Sequence, residues 1–249
     1  MKNLSLMIFI IILAWSCQTG NQPVKETSKV ASGLADTLRY PQEAHLANMH
    51  QLTFGGDNAE AYFSFNSKMI AFQSNKLPQR ISNGMGRTTC SYFMPGDSTI
   101  LFASTHTGSQ SCPLVPPARD DHKYVWPIYS DYDIYIADLK GNIIDFLTNN
   151  PGYDAEAKVS PKGDRIVFTS LRSGNLELYT MNIDGSDVRQ VTDEPGYDGG
   201  AFFSQDVSML VFRASRPKTE EEVKIYKELL AQGLVMAACM LRTYLLRTG

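Results

Sequence analysis

Short apolar runs separated by turn residues recur through the second half of the chain, as is typical of antiparallel strands. One unit contains four such runs, at residues 154–160, 165–170, 176–183 and 188–192. The first run alternates apolar and polar positions, and Asp184-Gly185 after the third run is a strong signal for a hairpin turn. The pattern therefore predicts four short strands in each unit.

The same unit returns after 44 residues. Gly152-Tyr153-Asp154 recurs as Gly196-Tyr197-Asp198, and Phe168 recurs as Phe212. Repeats of this length that contain four short strands are typical of β-propellers, in which one repeat forms one blade. We therefore expect an all-β fold built from propeller blades.

Two weaker copies lie upstream, at residues 62–74 and 92–104. Their reference aromatic residues, Phe72 and Phe102, are 30 residues apart, which is too short for a whole blade. Phe102 and Phe168 are 66 residues apart, which is longer than one repeat. We therefore expect one blade to lack most of an outer hairpin near residues 75–79, and an insertion to lie at residues 107–126.

The repeat is carried most clearly by residues 159–170 and 178–186, followed by Arg189-Gln190-Val191-Thr192. These segments resemble the WD40-like β-propeller repeats of TolB, the periplasmic protein of the Tol system. They are also similar to the propeller domains of prolyl oligopeptidase and dipeptidyl peptidase IV. The resemblance implies a partial β-propeller of about four four-stranded antiparallel blades at residues 46–217. TolB has an additional N-terminal α/β domain, for which residues 18–49 are too few.

A helix is predicted after the repeats. Thr219, with Glu222 three residues later, forms the sequence pattern of a capping box, and apolar residues follow at helical spacing, so we expect a helix at residues 220–232. Residues 236–249 carry none of the turn signals of the repeat. We therefore expect residues 218–249 to form a C-terminal helix and an atypical tail, in a chain truncated or frame-shifted after Val235. The alternative is an amphipathic terminal helix that packs on the propeller or on a partner.

The N-terminus has the pattern of a secretion signal. A short basic start precedes an apolar run at residues 4–15, which is too short to span a bilayer as a helix. Residues 14–17 resemble the cleavage box of bacterial lipoproteins, which implies a signal peptide at residues 1–16 and lipid attachment at Cys17. The alternative is an ordinary signal peptide with a chance cysteine.

The residues after Cys17 are polar, as is typical of a flexible tether. We therefore expect residues 17–45 to form a lipid-anchored linker. Gln18 at the second position of the mature lipoprotein favours the outer membrane, with the protein facing the periplasm.

Charge and cysteine content narrow the classes of partner and ligand. The net charge is −3 and the basic residues do not cluster, so nucleic acid is not an expected partner. In an exported protein Cys90 and Cys112 are candidates for a disulfide, the alternative being two separate thiols. The histidine and aspartate residues near the insertion lack the spacing of metal ligands, so neither a metal nor a cofactor is predicted.

In a propeller the first strand of each blade lines the central channel, and aligning the repeats identifies its residues. The candidate binding residues are Glu60, Tyr62, Tyr92, Asp154, Glu156, Lys158 and Asp198. As a binding site they form a polar, partly acidic channel mouth with aromatic walls, suited to a peptide, a glycan or a cation. In the alternative interpretation, which we favour, the carboxylates bond to backbone N–H groups and hold the blades together.

No catalytic residues are predicted. The chain has no Gly-x-Ser-x-Gly elbow, no P-loop, no dinucleotide fingerprint and no His-Glu-x-x-His motif. The resemblance to TolB implies a non-enzymatic lipoprotein that acts as a protein-binding scaffold in the bacterial cell envelope, with an envelope protein or peptide as partner. The alternative is the substrate-binding propeller module of an exported peptidase or hydrolase whose catalytic domain is absent from this chain. A third hypothesis is a propeller that binds a small ligand or a metal ion through its channel carboxylates.

Overall fold

The computed structural model describes residues 40, 42–76, 79–117, 125–236 and 242–247. The chain divides into two compact units, residues 1–52 and residues 53–249. In the first unit the described residues form turns, in which the Glu43 N–H donates to the Tyr40 carbonyl at 3.0 Å. The predicted signal peptide, Cys17 and the tether that follows it lie outside the described residues. Among the helices of the described part of the chain, none is long and apolar enough to cross a membrane.

Short antiparallel strands make up most of the second unit. They are β1 (Asn58–Phe63), β2 (Ile70–Ser74), β3 (Thr88–Phe93), β4 (Thr99–Ser104), β5 (Val125–Pro127), β6 (Asp133–Asp138), β7 (Ile143–Phe146), β8 (Asp154–Val159), β9 (Arg165–Ser170), β10 (Glu177–Asn182), β11 (Arg189–Gln190), β12 (Asp198–Phe203), β13 (Met209–Ala214), β14 (Leu234–Met236) and β15 (Arg242–Arg247). The helix α1 (Glu220–Ala231) lies between β13 and β14.

Thirteen of these strands form four sheets that correspond to the repeats, and we number these sheets as blades. Blade 1 contains β1 and β2, blade 2 contains β3, β4, β6 and β7, blade 3 contains β8 to β11, and blade 4 contains β12, β13 and β15. The predicted all-β partial propeller with a C-terminal helix is confirmed. Blade 1 has only its two inner strands in the described residues, in agreement with the deletion that the short repeat spacing predicted.

Blade 3 is covered on both faces by its neighbours. Because side chains alternate along a strand, Ile166 and Val167 of β9 point to opposite faces. Ile166 belongs to an apolar cluster with Leu101 of blade 2, whereas Val167 belongs to a cluster with Leu210 of blade 4. A strand buried on both faces needs apolar side chains at consecutive positions, which explains the continuous apolar run in β9.

The inner strand of every blade is interrupted by a β-bulge at the same position. The pairing register shifts there in each blade, for example between Ala59 and Tyr62 and between Ala155 and Lys158. The residues at the bulges have positive φ, and they are Glu60 (52°), Cys90 (53°), Glu156 (60°) and Gly200 (59°). A bulge changes the direction in which the local side chain points, so this feature aims three equivalent side chains, those of Glu60, Cys90 and Glu156, at the middle of the propeller, whereas Gly200 has no side chain.

Segments inserted into blades 2 and 4 meet and form what we call the cap, which consists of β5, α1 and β14. β5 pairs antiparallel with β14, with Trp126 opposite Val235. The Tyr226 hydroxyl of α1 donates to the Gly196 carbonyl at 2.8 Å. Val235 and Tyr153 lie in the same buried apolar cluster, against which Trp126 and Tyr226 pack. The cap therefore covers the residues that directly precede β8 and β12.

The predicted capping box is present at the start of α1. The Thr219 hydroxyl accepts a hydrogen bond from the Glu222 N–H at 3.2 Å, and the Glu222 carboxylate accepts one from the Thr219 N–H at 3.2 Å. Both helix ends agree with the prediction to within one residue, since α1 ends at Ala231.

The sequence did not predict the strand that follows the helix. β15 pairs with β13 at six successive positions and forms the third strand of blade 4. The alternative of a terminal amphipathic helix is wrong for residues 242–247. The repeat pattern does not reveal this strand because the cap separates it from β13 and replaces the turn that joins β9 to β10 in blade 3.

Candidate functional site

A cavity of about 400 Å³ lies beside the bulges, and we call it the central cavity. All four blades contribute side chains to it, among them Glu60, Tyr62, Cys90, Glu156, Lys158, Phe202 and Arg213. Its volume is within the range of about 300–1,000 Å³ that is usual for small-ligand sites. Five of the seven candidate residues lie at or next to this cavity, whereas Asp154 and Asp198 do not line it.

Lys158 is the buried cation of the central cavity. Its side chain is 3% exposed, and its Nζ lies 4.0 Å from the ring centroid of Tyr62, 5.7 Å from that of Tyr92 and 5.8 Å from that of Phe202. No hydrogen-bond acceptor for Nζ is present among the described residues. Burial lowers the pKa of Lys158, and the nearby acidic groups oppose this effect. Within the described residues the ammonium is therefore in contact with aromatic rings and has no hydrogen-bonded partner, although the acidic groups nearby favour its charged form.

Glu156 joins blade 3 to blade 4. Its Oε2 accepts hydrogen bonds from the Thr169 hydroxyl at 2.8 Å and from the Gly200 N–H at 2.9 Å. The Tyr197 hydroxyl donates to Oε1 at 2.9 Å. Both oxygens of this carboxylate thus accept hydrogen bonds from the protein itself. This agrees with the interpretation in which the channel carboxylates hold the blades together.

Gly199 and Gly200 make room for this connection. A Cβ at residue 199 would lie 2.3 Å from the Glu156 Oε2, and residue 200 has a φ of 59°. The aligned residues of blade 3 are Ala155 and Glu156. Blade 4 therefore has no side chain at its bulge, and the Glu156 carboxylate occupies that space.

Glu60 and Cys90 form the corresponding contact between blades 1 and 2. The Cys90 thiol donates to the Glu60 Oε2 at 3.1 Å, and the Tyr62 hydroxyl lies 3.5 Å from the same oxygen. Burial raises the pKa of the Cys90 thiol, so the thiol stays protonated at neutral pH.

The predicted disulfide between Cys90 and Cys112 is not formed. Cys90 is buried with its thiol on Glu60, whereas Cys112 is exposed, and both are free. The bulge at Cys90 directs its side chain into the propeller and away from the insertion, which explains why the pairing fails.

Asp154 and Asp198 stabilise their own blades. Asp154 forms an ion pair with Arg172 at 2.9 Å, and Asp198 accepts two hydrogen bonds from the Arg216 guanidinium. Both aspartates are 0% exposed. Each carboxylate pairs with an arginine of the same blade instead of a backbone N–H group, and neither lines the central cavity.

A larger groove of about 1190 Å³ follows β2 and β3. Its floor includes Phe93 and Ile100, and it lies where blade 1 has no outer strands in the described residues. Polar groups at its rim bond to the protein, since the Asn75 amide donates to Asp57 at 2.8 Å and the Gln79 amide donates to the Leu139 carbonyl at 2.7 Å. We therefore place the candidate site at the smaller central cavity, which contains an unpartnered charge.

Sequence reasoning did not select Phe202 or Arg213. Phe202 occupies the same alignment column as Tyr62, Tyr92 and Lys158, so the repeat alignment contained the signal for it. Arg213 lies on β13, where its position over Gly200 depends on the bulge in β12. Among the described residues, no group of three or more His, Cys, Asp or Glu side chains is placed to hold a metal ion.

Residues 117–240 match the family model described as the TolB beta propeller domain. Among solved structures, the chain is similar to TolB from Acinetobacter baumannii, with 17% identity and a TM-score of 0.46 over 66% of this chain and 39% of that chain. It is similar to a putative TolB from Agrobacterium tumefaciens, with 18% identity and a TM-score of 0.36 over 66% of this chain and 72% of that chain. It is also similar to the AtxE2 isopeptidase, with 10% identity and a TM-score of 0.37 over 67% of this chain and 28% of that chain.

The chain spans 39% of the length of the Acinetobacter baumannii TolB structure. A comparison with curated protein sequences finds no match. The family match covers the repeats in which the 44-residue period is clearest, and it confirms the resemblance that those repeats indicated. Residues 117–240 therefore carry TolB-like β-propeller repeats.

Proposed function

We propose that this protein is a non-enzymatic scaffold of the bacterial cell envelope whose central cavity receives a segment of a protein partner. The observation that carries this proposal is the composition of the cavity wall. The rings of Tyr62 and Phe202, whose centroids are 6.0 Å apart, lie beside charged groups of both signs, Glu60 and Arg213. Apolar walls with a few convergent polar groups are typical of binding sites.

The chemistry of the cavity supports binding over catalysis. Its thiol, Cys90, donates to Glu60 and has a raised pKa, which makes it a poor nucleophile. Both oxygens of Glu156 accept hydrogen bonds from the surrounding blades, which leaves this carboxylate unsuited to proton transfer.

The cap supports entry from one direction. It packs over Tyr153 and Tyr197, which directly precede β8 and β12, whereas the cavity is lined by later residues of the same strands. A partner segment therefore enters on the side away from the cap. This arrangement suits a chain terminus or a loop that projects from the partner.

The cellular part of the proposal is an outer-membrane lipoprotein that faces the periplasm, anchored through Cys17. Its test is labelling with radioactive palmitate in a bacterial host. We expect label on the wild-type protein, no label on Cys17→Ser, and undiminished label on the matched control Cys112→Ser, whose thiol is exposed. Equal labelling of wild type and Cys17→Ser would exclude the anchor.

Binding through the central cavity is tested by photo-crosslinking in living cells. p-Benzoylphenylalanine is introduced in place of Tyr62, which lines the cavity, or in place of Ile144, which is 58% exposed on β7 of blade 2. We expect an adduct with an envelope protein at position 62 and none at position 144. Adducts of equal yield at both positions, or none at position 62, would argue against the proposal.

A further inference from the structure

The central cavity contains a cation without a counter-group. Lys158 is 3% exposed, and its Nζ has no hydrogen-bond acceptor among the described residues. A buried charge is normally paired, because transfer out of water is costly and only charged or strongly polar partners offset it. The contacts with the rings of Tyr62, Tyr92 and Phe202 stabilise the ammonium but accept no hydrogen bond from it.

The nearby carboxylates do not pair with this cation. Glu156 uses both oxygens for Thr169, Tyr197 and Gly200. Glu60 accepts hydrogen bonds from the Cys90 thiol and the Tyr62 hydroxyl. A molecule that enters the cavity can therefore supply the hydrogen-bond acceptor that the Lys158 ammonium lacks.

Arg213 adds a second cation to the same cavity. It lies on β13 opposite Gly199, and its guanidinium is close to the Gly200 bulge. Within the described ranges Arg213 forms no ion pair, unlike Arg172 and Arg216, which bind the buried aspartates. Two cations without anionic partners thus face one cavity with aromatic walls.

We propose that the central cavity binds a carboxylate group of the partner polypeptide, with the Lys158 ammonium as the main contact and the Arg213 guanidinium as the second cation. This inference rests on the proposed function, because the carboxylate belongs to the segment that the partner inserts. Hydrogen bonds between charged groups are about twice as strong as neutral ones, and the buried position of Lys158 strengthens them further. The rings of Tyr62 and Phe202 pack against the residues next to the carboxylate.

The test uses two libraries of random hexapeptides, one with a free C-terminal carboxylate and one with a C-terminal amide. Each is passed over the immobilised full chain, and retained peptides are sequenced by mass spectrometry. We expect retention of peptides that carry a carboxylate. If the peptides retained from the free-acid library are not enriched in Asp or Glu, the bound carboxylate is the C-terminus. If the peptides retained from the amide library are enriched in Asp or Glu, the bound carboxylate is a side chain.

Variants of the cavity residues give effects of opposite sign. Lys158→Met keeps an unbranched side chain that is one atom shorter and removes the charge, so we expect retained peptides to bind about tenfold more weakly or worse. We expect Arg213→Gln, at an exposed strand position, to weaken binding as well. Glu60→Gln is expected to strengthen binding, because it removes a carboxylate that repels the carboxylate of the peptide. Lys140→Met, at an exposed turn, is the matched control and leaves binding unchanged.

The outcomes separate this inference from the proposed function. Retention of amidated peptides that contain neither Asp nor Glu, as strong as that of acidic ones, overturns carboxylate recognition and leaves peptide binding in place. Retention of no peptide by protein with a wild-type melting curve overturns both. Equal binding by Lys158→Met, Arg213→Gln and wild type also overturns the carboxylate contact, and thermal melting by circular dichroism shows whether each variant is folded.

Discussion

At the scale of single residues, one backbone feature serves different purposes in different blades. Glu60, Cys90, Glu156 and Gly200 all have φ between 52° and 60° at equivalent bulges. A left-handed conformation is unfavourable for residues other than glycine, so it persists only where surrounding contacts compensate. Glu156 has the most of these contacts, because one carboxylate binds groups of two blades.

Replacement of Glu156 tests this connection. We expect Glu156→Ala to lower the free energy of unfolding by about 2 kcal/mol or more, because the buried Tyr197 hydroxyl and the Gly200 N–H lose their acceptor, and an unsatisfied buried donor costs about 1–3 kcal/mol. Urea unfolding measures the loss. Glu60→Ala is the matched control at the same bulge position, and we expect it to cost less than about 1 kcal/mol because Glu60 is exposed. Equal losses for the two variants would show that Glu156 does not join the blades.

Glu177 makes stability depend on pH. It is 1% exposed, and burial raises its pKa from 4.5 to about 7, with the neighbouring Asp198 acting in the same direction. The folded state therefore holds this proton more tightly than the unfolded state. Its contribution to stability is fully present below pH 4.5 and is lost as the pH rises through about 7.

The variant Glu177→Gln isolates this effect because glutamine does not ionise. Urea unfolding at pH 4.5, 6 and 8 is expected to show the variant gaining stability relative to the wild type as the pH rises. The titrating groups away from Glu177 are common to both proteins and cancel in the difference, which therefore reports Glu177 together with its neighbour Asp198. A difference that stays constant with pH would mean that Glu177 keeps an ordinary pKa.

At the scale of elements, the cap shows how a helix can be positioned by a few polar contacts. α1 has one fully buried side chain, Leu229, and three glutamates in its first turn. The Tyr226 hydroxyl donates to both the Asn175 Oδ1 and the Gly196 carbonyl. With so little apolar burial, the start of the helix depends on its capping box and on the favourable position of acidic residues at its N-terminus.

We expect Thr219→Ala to destabilise the first turn of α1 by about 1 kcal/mol, because the Glu222 N–H loses its side-chain acceptor. Hydrogen exchange at the amides of Glu222 and Val223 should become about fivefold faster, in proportion to that free energy. Glu228→Ala, near the other end of the helix and exposed, serves as the control and leaves these amides unchanged. Unaltered exchange in Thr219→Ala would show that tertiary packing alone holds the turn.

The elements that the sequence predicted well are those with local signals. β9 was predicted at its observed bounds, because its apolar run lies between two clear turns. β15 was not predicted, because its place in blade 4 is decided by pairing with β13 across the intervening cap. The same distinction applies to the site: the repeat alignment identified the column of Tyr62, Tyr92 and Lys158, but no repeat contains a signal for Arg213 or for the direction that the bulge gives to Cys90.

At the scale of the whole molecule, the described blades leave sheet edges and one face uncovered. β2 and β15 are the outermost strands of blades 1 and 4 in the part of the chain that the structure describes. Tyr244 and Leu246 pack toward blade 3, whereas Leu245, between them, is 69% exposed on the opposite face. An unpaired strand edge that carries an exposed leucine favours pairing with another chain.

We therefore expect the purified protein to self-associate through blade 4, with a sedimentation coefficient that rises with concentration. Leu245→Lys should reduce this rise, because a lysine on an edge strand must lose its hydration when a second sheet packs against it. Leu114→Lys is the matched control: Leu114 is 91% exposed but lies outside the strands, so adding the same charge there should leave the association unchanged. A protein that sediments as a monomer at all concentrations would show that blade 4 is covered in solution. An equal effect of both variants would instead assign the association to net charge, because only the position of the lysine differs between them.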